Sequence, residues 1–282
     1  HSFPTRRSSD LGGLLFGPGE VLDAARHYII VPDALGTGQS TRPSDGLRAR
    51  FPRYNYDDMV LAQYRLLTEG LGVTHLRVII GNSMGGMNTW VWGVTYPGFA
   101  DALVPMAAQP SAMAARNWMM RRIMIEAIRR DPGYQGGNYT TQPASIGLAN
   151  VFYGIATNGG TLAYQAMAPS AVLADKAVEE RLAVPFTMDA NDFIWQWEAA
   201  RDYDPAPKLS RITAAVLAIN STDDERNPPQ TGLTEKAVAS LPHGRLLVIP
   251  ESAETRGHGT TAMAKFWKAE FAAWLAGVPV GK

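Results

Sequence analysis

The sequence predicts an α/β fold, a mainly parallel sheet with helices on both faces and a helical cap inserted after one strand. Three observations carry that expectation. Short apolar runs rich in β-branched residues alternate with stretches whose apolar residues recur at helical spacing, and such alternation builds a parallel sheet covered on both sides. One run leads directly into "GNSMGG" (residues 81–86), a turn of small side chains at the mouth of a helix. Between residues 111 and 205 the text changes to helical stretches rich in Met, Trp, Arg and Ala, broken by "DPGYQGGNY".

Taken in order, "HYIIVPD" (residues 27–33) reads as a strand, "YDDMVLAQYRLLTEGLG" (56–72) as a helix closed by glycine, and "HLRVIIGNS" (75–83) as a second strand, together a β–α–β unit. A helix follows the Ser83 turn through Trp92. Strand-like text returns at "DALVPMAA" (101–108), "ITAAVLAIN" (212–220) and "GRLLVIP" (244–250). No internal repeat or low-complexity tract interrupts the pattern. The core is therefore expected over 12–110 and 206–282, and the cap over 111–205.

With 282 residues, 46% of them hydrophobic, the chain can bury one sizeable core. Its 26 Lys and Arg balance 26 Asp and Glu, so no charge footprint points to nucleic acid or an anionic membrane surface. A small-molecule partner is expected instead, and a homodimer is compatible with the sequence. The absence of cysteine removes disulfide, thiolate and Cys-ligated zinc chemistry. No apolar run reaches the roughly 18 to 20 residues of a membrane-spanning helix.

Residues 1–11, "HSFPTRRSSDL", have neither apolar periodicity nor a cap signal, and they resemble the in-frame translation of a common sequencing adapter. They are set apart as a non-native arm. The natural chain is then expected to begin in mid-protein near Gly12. Upstream strands and any signal peptide fall outside the sequence, which leaves cytoplasmic, periplasmic and secreted locations open.

Position selects the chemistry. Ligands of an open parallel sheet bind beyond the carboxyl ends of its strands, so a catalytic side chain should follow its strand. Ser83 does, inside a G-x-S-x-G pattern (residues 81–85) whose small residues suit a strained strand-to-helix turn. A phosphate-binding glycine turn is the alternative, but no Lys-Ser/Thr pair and no G-x-G-x-x-G is present. A serine nucleophile needs a base. Of the five histidines, His1 lies in the arm, and His27, His75 and His243 precede strands on the opposite edge. His258, in "TRGHGTTAM" after the last strand, is on the correct side. The acid that holds its tautomer is expected in "INSTDDERNPP", where spacing leaves Asp223 and Asp224 both open.

These residues resemble the α/β-hydrolase superfamily, whose triad runs Ser, Asp, His along the chain, and within it the homoserine O-acetyltransferase branch. The likeness extends from about Phe16 to Leu275. It rests on "PDALGTGQS" (32–40), "RFPRYNYDDMVLAQYRLL" (50–67), "GNSMGGMNTW" (81–90), "AIRRDPGYQGGNY" (127–139), "DANDFIWQWEAARDYDP" (189–205) and "DDERNPP" (223–229), in that order. In that branch the triad acid stands four residues before the Pro-Pro pair, which selects Asp224. Two positions depart from it. The arginine that binds the amino-acid carboxylate falls on Ile125, with Arg121 and Arg122 about a turn away, and the aspartate that follows the catalytic histidine is Gly259. Charged hydrogen bonds contribute roughly 1.5 to 3 kcal/mol each, so their loss argues against homoserine as acceptor.

The resemblance implies ping-pong chemistry. His258 deprotonates Ser83, Ser83 takes an acyl group, and Asp224 steadies the histidine. The backbone N–H of Met84 supplies one oxyanion donor; the second belongs to a loop after the family's third strand, upstream of Phe16, so the chain as written is expected to be nearly inactive. That third strand sits between the strands ending at Asp33 and Ser83, so the first strands of the sheet are expected to be missing. Trp118, Phe193, Trp195 and Trp197 are candidates for an acyl-pocket wall, although tryptophans two apart face opposite sides of a helix. Met113, Met119, Met120 and Met124 read as cap core. No cofactor or metal constellation is expected, with acyl-CoA a candidate co-substrate. The leading expectation is a serine-dependent hydrolase of carboxylic esters. An acyl-CoA-dependent transferase and a non-catalytic binder are the alternatives.

Overall fold

Four strands, β1 (Leu76–Asn82), β2 (Ala100–Met106), β3 (Ala215–Ser221) and β4 (Gly244–Ile249), pair in that order and all in parallel in the computed structural model, which describes residues 14–281. The adapter-like arm, residues 1–11, lies outside the described residues. Ile79 stands opposite Leu103, Leu103 opposite Val216, and Ile219 opposite Leu247. Side chains alternate between two cores, as the pleat requires. Leu103, Val216 and Ala218 pack with Met59, Val60, Trp90 and Val91. Ala102, Val104, Leu217 and Ile219 pack with Trp267, Phe271 and Leu275.

The first core is covered by α1 (Tyr56–Arg65), α2 (Met84–Thr95) and α8 (Leu233–Ala239), the second by α9 (Lys268–Ala276). Asn55 starts α1 by accepting the Asp58 N–H at 3.0 Å, while the Asp58 carboxylate accepts the Asn55 N–H at 3.0 Å. Between β2 and β3 run α3 (Ala115–Arg129), α4 (Ser145–Thr157), α5 (Thr161–Met167), α6 (Ala171–Leu182) and α7 (Ala190–Glu198). They build a third core from Met124, Ile125, Ile128, Tyr134, Ile146, Tyr153, Phe193 and Ile194. Asp131 holds the "DPGY" turn to the start of α4, accepting from the Gly133 N–H at 2.8 Å and the Ser145 N–H at 2.9 Å. Of the four methionines expected in the cap core, Met124 is in this core and Met120 packs on it, whereas Met113 packs on the first core and Met119 is exposed.

Residues 27–33 correct the sequence reading: they form no strand. Among the described residues β1 pairs only with β2, and a cleft of about 510 Å³ lies between β1 and this segment, with Ile29 and Ile30 on one wall and Val78 and Ile80 on the other. Apolar β-branched text is a local property, but a strand exists only with a partner at hydrogen-bonding distance.

Candidate active site

The Ser83 turn is fixed from three directions. Ser83 follows β1 directly, adopts φ 55° and ψ −111°, and is the N-cap of α2. A positive φ at a residue with a Cβ is a strained conformation that the surroundings must hold. Its N–H donates to the Met106 carbonyl at the end of β2 at 2.8 Å. Thr261 Oγ1 donates to the side chain of the preceding Asn82 at 2.6 Å. A Cβ at Gly81 would come within 2.1 Å of the Gly85 carbonyl oxygen, so glycine is required there. At Gly85 a Cβ meets nothing within 4 Å, and the tight position is Gly86, where it would lie 2.5 Å from the Met106 carbonyl oxygen.

His258 and Asp224 arrive from the ends of β4 and β3. Gly257, at φ +55°, opens the 3₁₀ turn Gly257–Ala262 that carries the imidazole. His258 Nε2 stands 2.7 Å from Ser83 Oγ, and Nδ1 stands 3.0 Å from both carboxylate oxygens of Asp224. An Nδ1–H shared with that carboxylate leaves Nε2 as the acceptor for the serine O–H. Both residues are buried. Burial is the largest influence on His258 and depresses its basicity; the Asp224 charge works against it, the Arg226 and Arg121 charges with it, and the net direction is below the ordinary histidine value. Burial alone would raise the Asp224 carboxyl, but the His258 charge and hydrogen bonds from His258, Asn227 and the Arg226 N–H outweigh it and hold it low. The resting pair is thus a neutral imidazole beside a carboxylate. It can take a proton from Ser83 at neutral pH.

The two aspartates that spacing alone left open occupy different places. Asp224 meets the ring, while the Asp223 carboxylate turns to Ser221, Thr255 and the Gly257 N–H. Met84 is the first residue of α2, where an N–H has no partner within its own helix. Trp197 lies beneath Arg121, whose guanidinium is 4.7 Å from the ring, and packs edge-on to Tyr153. Trp195 faces the other way, its Nε1–H shared between the Phe51 and Pro52 carbonyls at 3.2 and 3.1 Å. Phe193 packs within the third core, and Trp118 lies 5.5 Å below the Arg201 guanidinium.

Sequence reasoning missed Asn227 and Arg226, and it named Arg121 only as a neighbour of the Ile125 position. Asn227 Nδ2 donates to Asp224 Oδ2 at 3.1 Å and to the Ala107 carbonyl at 2.8 Å, tying the acid to the loop after β2. Its position three residues after Asp224 in "DDERN" is a readable Asx-turn signal, since Asp224 Oδ1 accepts the Arg226 and Asn227 N–H groups at 2.8 and 3.1 Å. Arg226 lies over Tyr153 at 4.2 Å and Arg121 is buried, contacts that no local pattern announces. Among the described residues no group of His, Asp and Glu is arranged to hold a metal ion, and no helix is long and apolar enough to cross a membrane.

The fold and this strand–serine–helix turn define a protein of the α/β-hydrolase superfamily, and residues 16–140 match the family described as alpha/beta hydrolase fold. Within that superfamily the chain is 34% identical over 240 residues to a homoserine O-acetyltransferase of Solidesulfovibrio magneticus, covering 81% of this chain and 58% of that protein. It covers 41% of a second homoserine O-acetyltransferase, from Thermobifida fusca, at 34% identity over 159 residues and 52% of this chain. The chain thus spans about half the length of these curated relatives. In three dimensions it is similar to a homoserine O-acetyltransferase from Bacillus anthracis (TM-score 0.82, 22% identity, 95% of this chain and 82% of that one). It is also similar to the acetyl esterase MekB (TM-score 0.79, 23% identity, 95% and 83%). At these identities both likenesses speak to the fold alone.

Proposed function

We propose that the protein is a serine-dependent hydrolase of carboxylic esters, with Ser83 as nucleophile, His258 as base and Asp224 as the acid that orients it. One observation carries the reading: the run of contacts from Asp224 through His258 to Ser83, at 3.0 and 2.7 Å, ends on a serine held at positive φ. In the first step the Ser83 oxygen bonds to the ester carbonyl carbon and its proton passes to His258 Nε2. The Met84 N–H supports the oxyanion, and the imidazolium then protonates the departing alcohol. Water, deprotonated by the same nitrogen, releases the acid and frees Ser83. The helices between β2 and β3 serve as a cap, and Trp197, with its neighbours Tyr153 and Phe193, supplies its aromatic wall.

A transferase is the second reading, favoured by the 34% identity to a homoserine O-acetyltransferase over 240 residues. Two features of the site argue for water as acceptor. Ile125 is fully buried in the third core. Beside His258, a Cβ at Gly259 would come 2.5 Å from the Asn158 side-chain oxygen, so a neutral amide fills the place next to the histidine.

Two assays on wild type and Ser83→Ala separate the readings: turnover of simple acetate esters, and release of CoA from acetyl-CoA with and without homoserine. Ester turnover that falls at least about 100-fold in Ser83→Ala, with CoA release indifferent to homoserine, supports the hydrolase. Ser83-dependent CoA release that climbs with homoserine replaces it with the transferase.

A further inference from the structure

Asp223 is not the residue that meets the imidazole, yet it makes three hydrogen bonds at the point where β3 meets the histidine loop. Ser221 Oγ donates to Oδ1 in a short contact. Thr255 Oγ1 and the Gly257 N–H donate to Oδ2 at 2.8 and 3.0 Å. Ser221 and Thr255 are both fully buried, so the carboxylate joins a fixed point of the sheet to the backbone immediately before His258. The turn between α4 and α5 closes over the same group: Gly160 has φ +75°, and a Cβ there would lie 2.6 Å from Asp223 Oδ2. We propose that Asp223 is a positioning residue, which fixes the backbone before His258 while Asp224 fixes the ring, and so sets the reach from Nε2 to Ser83 Oγ.

The assignment rests on the reading of Ser83 and His258 as nucleophile and base, through a specific mechanical link. Asp224 alone lets the imidazole pivot about its Nδ1 bonds. Anchoring residue 257 removes that freedom, because one peptide unit separates the held N–H from the His258 Cα. A displacement near 1 Å at a reacting group costs about 100-fold in rate. The requirement is for acceptors in two directions, not for charge. Asparagine satisfies it, with Oδ1 accepting from Thr255 and Gly257 and Nδ2 donating to a rotated Ser221 hydroxyl.

The experiment compares wild type, Asp223→Ala, Asp223→Asn, Gly160→Ala and Ser83→Ala. It reads the second-order rate of labelling by a fluorophosphonate, the low-field Nδ1–H proton resonance of His258, and the thermal midpoint. In the labelling step Ser83 oxygen bonds to phosphorus, fluoride leaves and His258 takes the serine proton. Asp223→Ala is expected to slow labelling about 10- to 100-fold and to erase or broaden the His258 resonance. Asp223→Asn is expected to stay within about threefold of wild type and keep the resonance, and Gly160→Ala to reproduce the alanine effect from the cap side with the carboxylate present. Wild-type labelling and an intact resonance in Asp223→Ala would overturn the proposal, as would equal losses in the alanine and asparagine variants. A purely structural role would lower the midpoint while leaving the labelling rate and the resonance of the folded protein unchanged. Labelling that persists in Ser83→Ala counts against the serine-hydrolase reading instead; there, and equally where wild type, with the Met84 N–H as its one assigned oxyanion donor, labels too slowly to time, the resonance decides the role of Asp223.

Discussion

The basicity of His258 is set by burial, by one carboxylate and by two guanidinium groups, and the balance is depression. Neutral imidazole is the reactive form, so a depressed value keeps the base deprotonated further into acid, and activity is lost as pH falls through that value. The acid limb of kcat/KM for ester hydrolysis should therefore have its midpoint below about 6.5, the ordinary histidine value. A limb at or above that point would mean that Asp224 dominates the local field. At this scale the sequence was readable where position along the chain decided the matter. Ser83 and His258 follow strands, whereas His75 and His243 precede them. Spacing alone was silent where only side-chain direction decides: Asp223 and Asp224 are adjacent and chemically equal, and it took the likeness of "DDERNPP" to a family motif to favour Asp224, the one the structure turns to the ring.

Among the elements, the contact between α2 and β2 places the proposed nucleophile, because Ser83 is the N-cap of α2 and bonds to the last residue of β2. Gly86 is the point of closest approach. A Cβ there would lie 2.5 Å from the Met106 carbonyl oxygen and 2.9 Å from the Ala108 Cβ, neither of which can move without moving the strand end. Gly86→Ala should destabilise the fold by about 1 to 3 kcal/mol and displace the serine, whereas Gly85→Ala, with open space around it, should leave stability unchanged or slightly raised. Urea unfolding of the two variants checks this, and equal midpoints would show that the helix can lift away freely. β1 to β4 were legible because strands in a parallel sheet read as continuous apolar runs with turn residues at their ends. Residues 27–33 carry the same text and form no strand, because the missing ingredient is a neighbour and no window of local sequence contains one. The G-x-S-x-G pattern likewise located the turn while assigning its second tight glycine one residue early.

For the molecule as a whole, the consequence is an unbalanced sheet. Among the described residues β2 and β3 are buried almost throughout, while every residue of β1 is only half-buried and has no strand partner on the side away from β2, where the cleft of about 510 Å³ lies. Facing it, Tyr28 and Val31 are 74% and 63% exposed. An open strand edge beside apolar side chains is a template for pairing with another chain, and native edges are protected by charges placed along them. Val31→Lys should therefore reduce concentration-dependent light scattering on warming while leaving far-UV circular dichroism and the rate of Ser83 labelling unchanged, because an exposed side chain can accept a charge at a cost within about 0.5 kcal/mol. Ile80→Lys is the opposite case. Its side chain packs against the second core as well as lining the cleft, so a lysine there gives up that packing and the unfolding midpoint should fall. Scattering from Val31→Lys equal to that of wild type would place the association surface elsewhere.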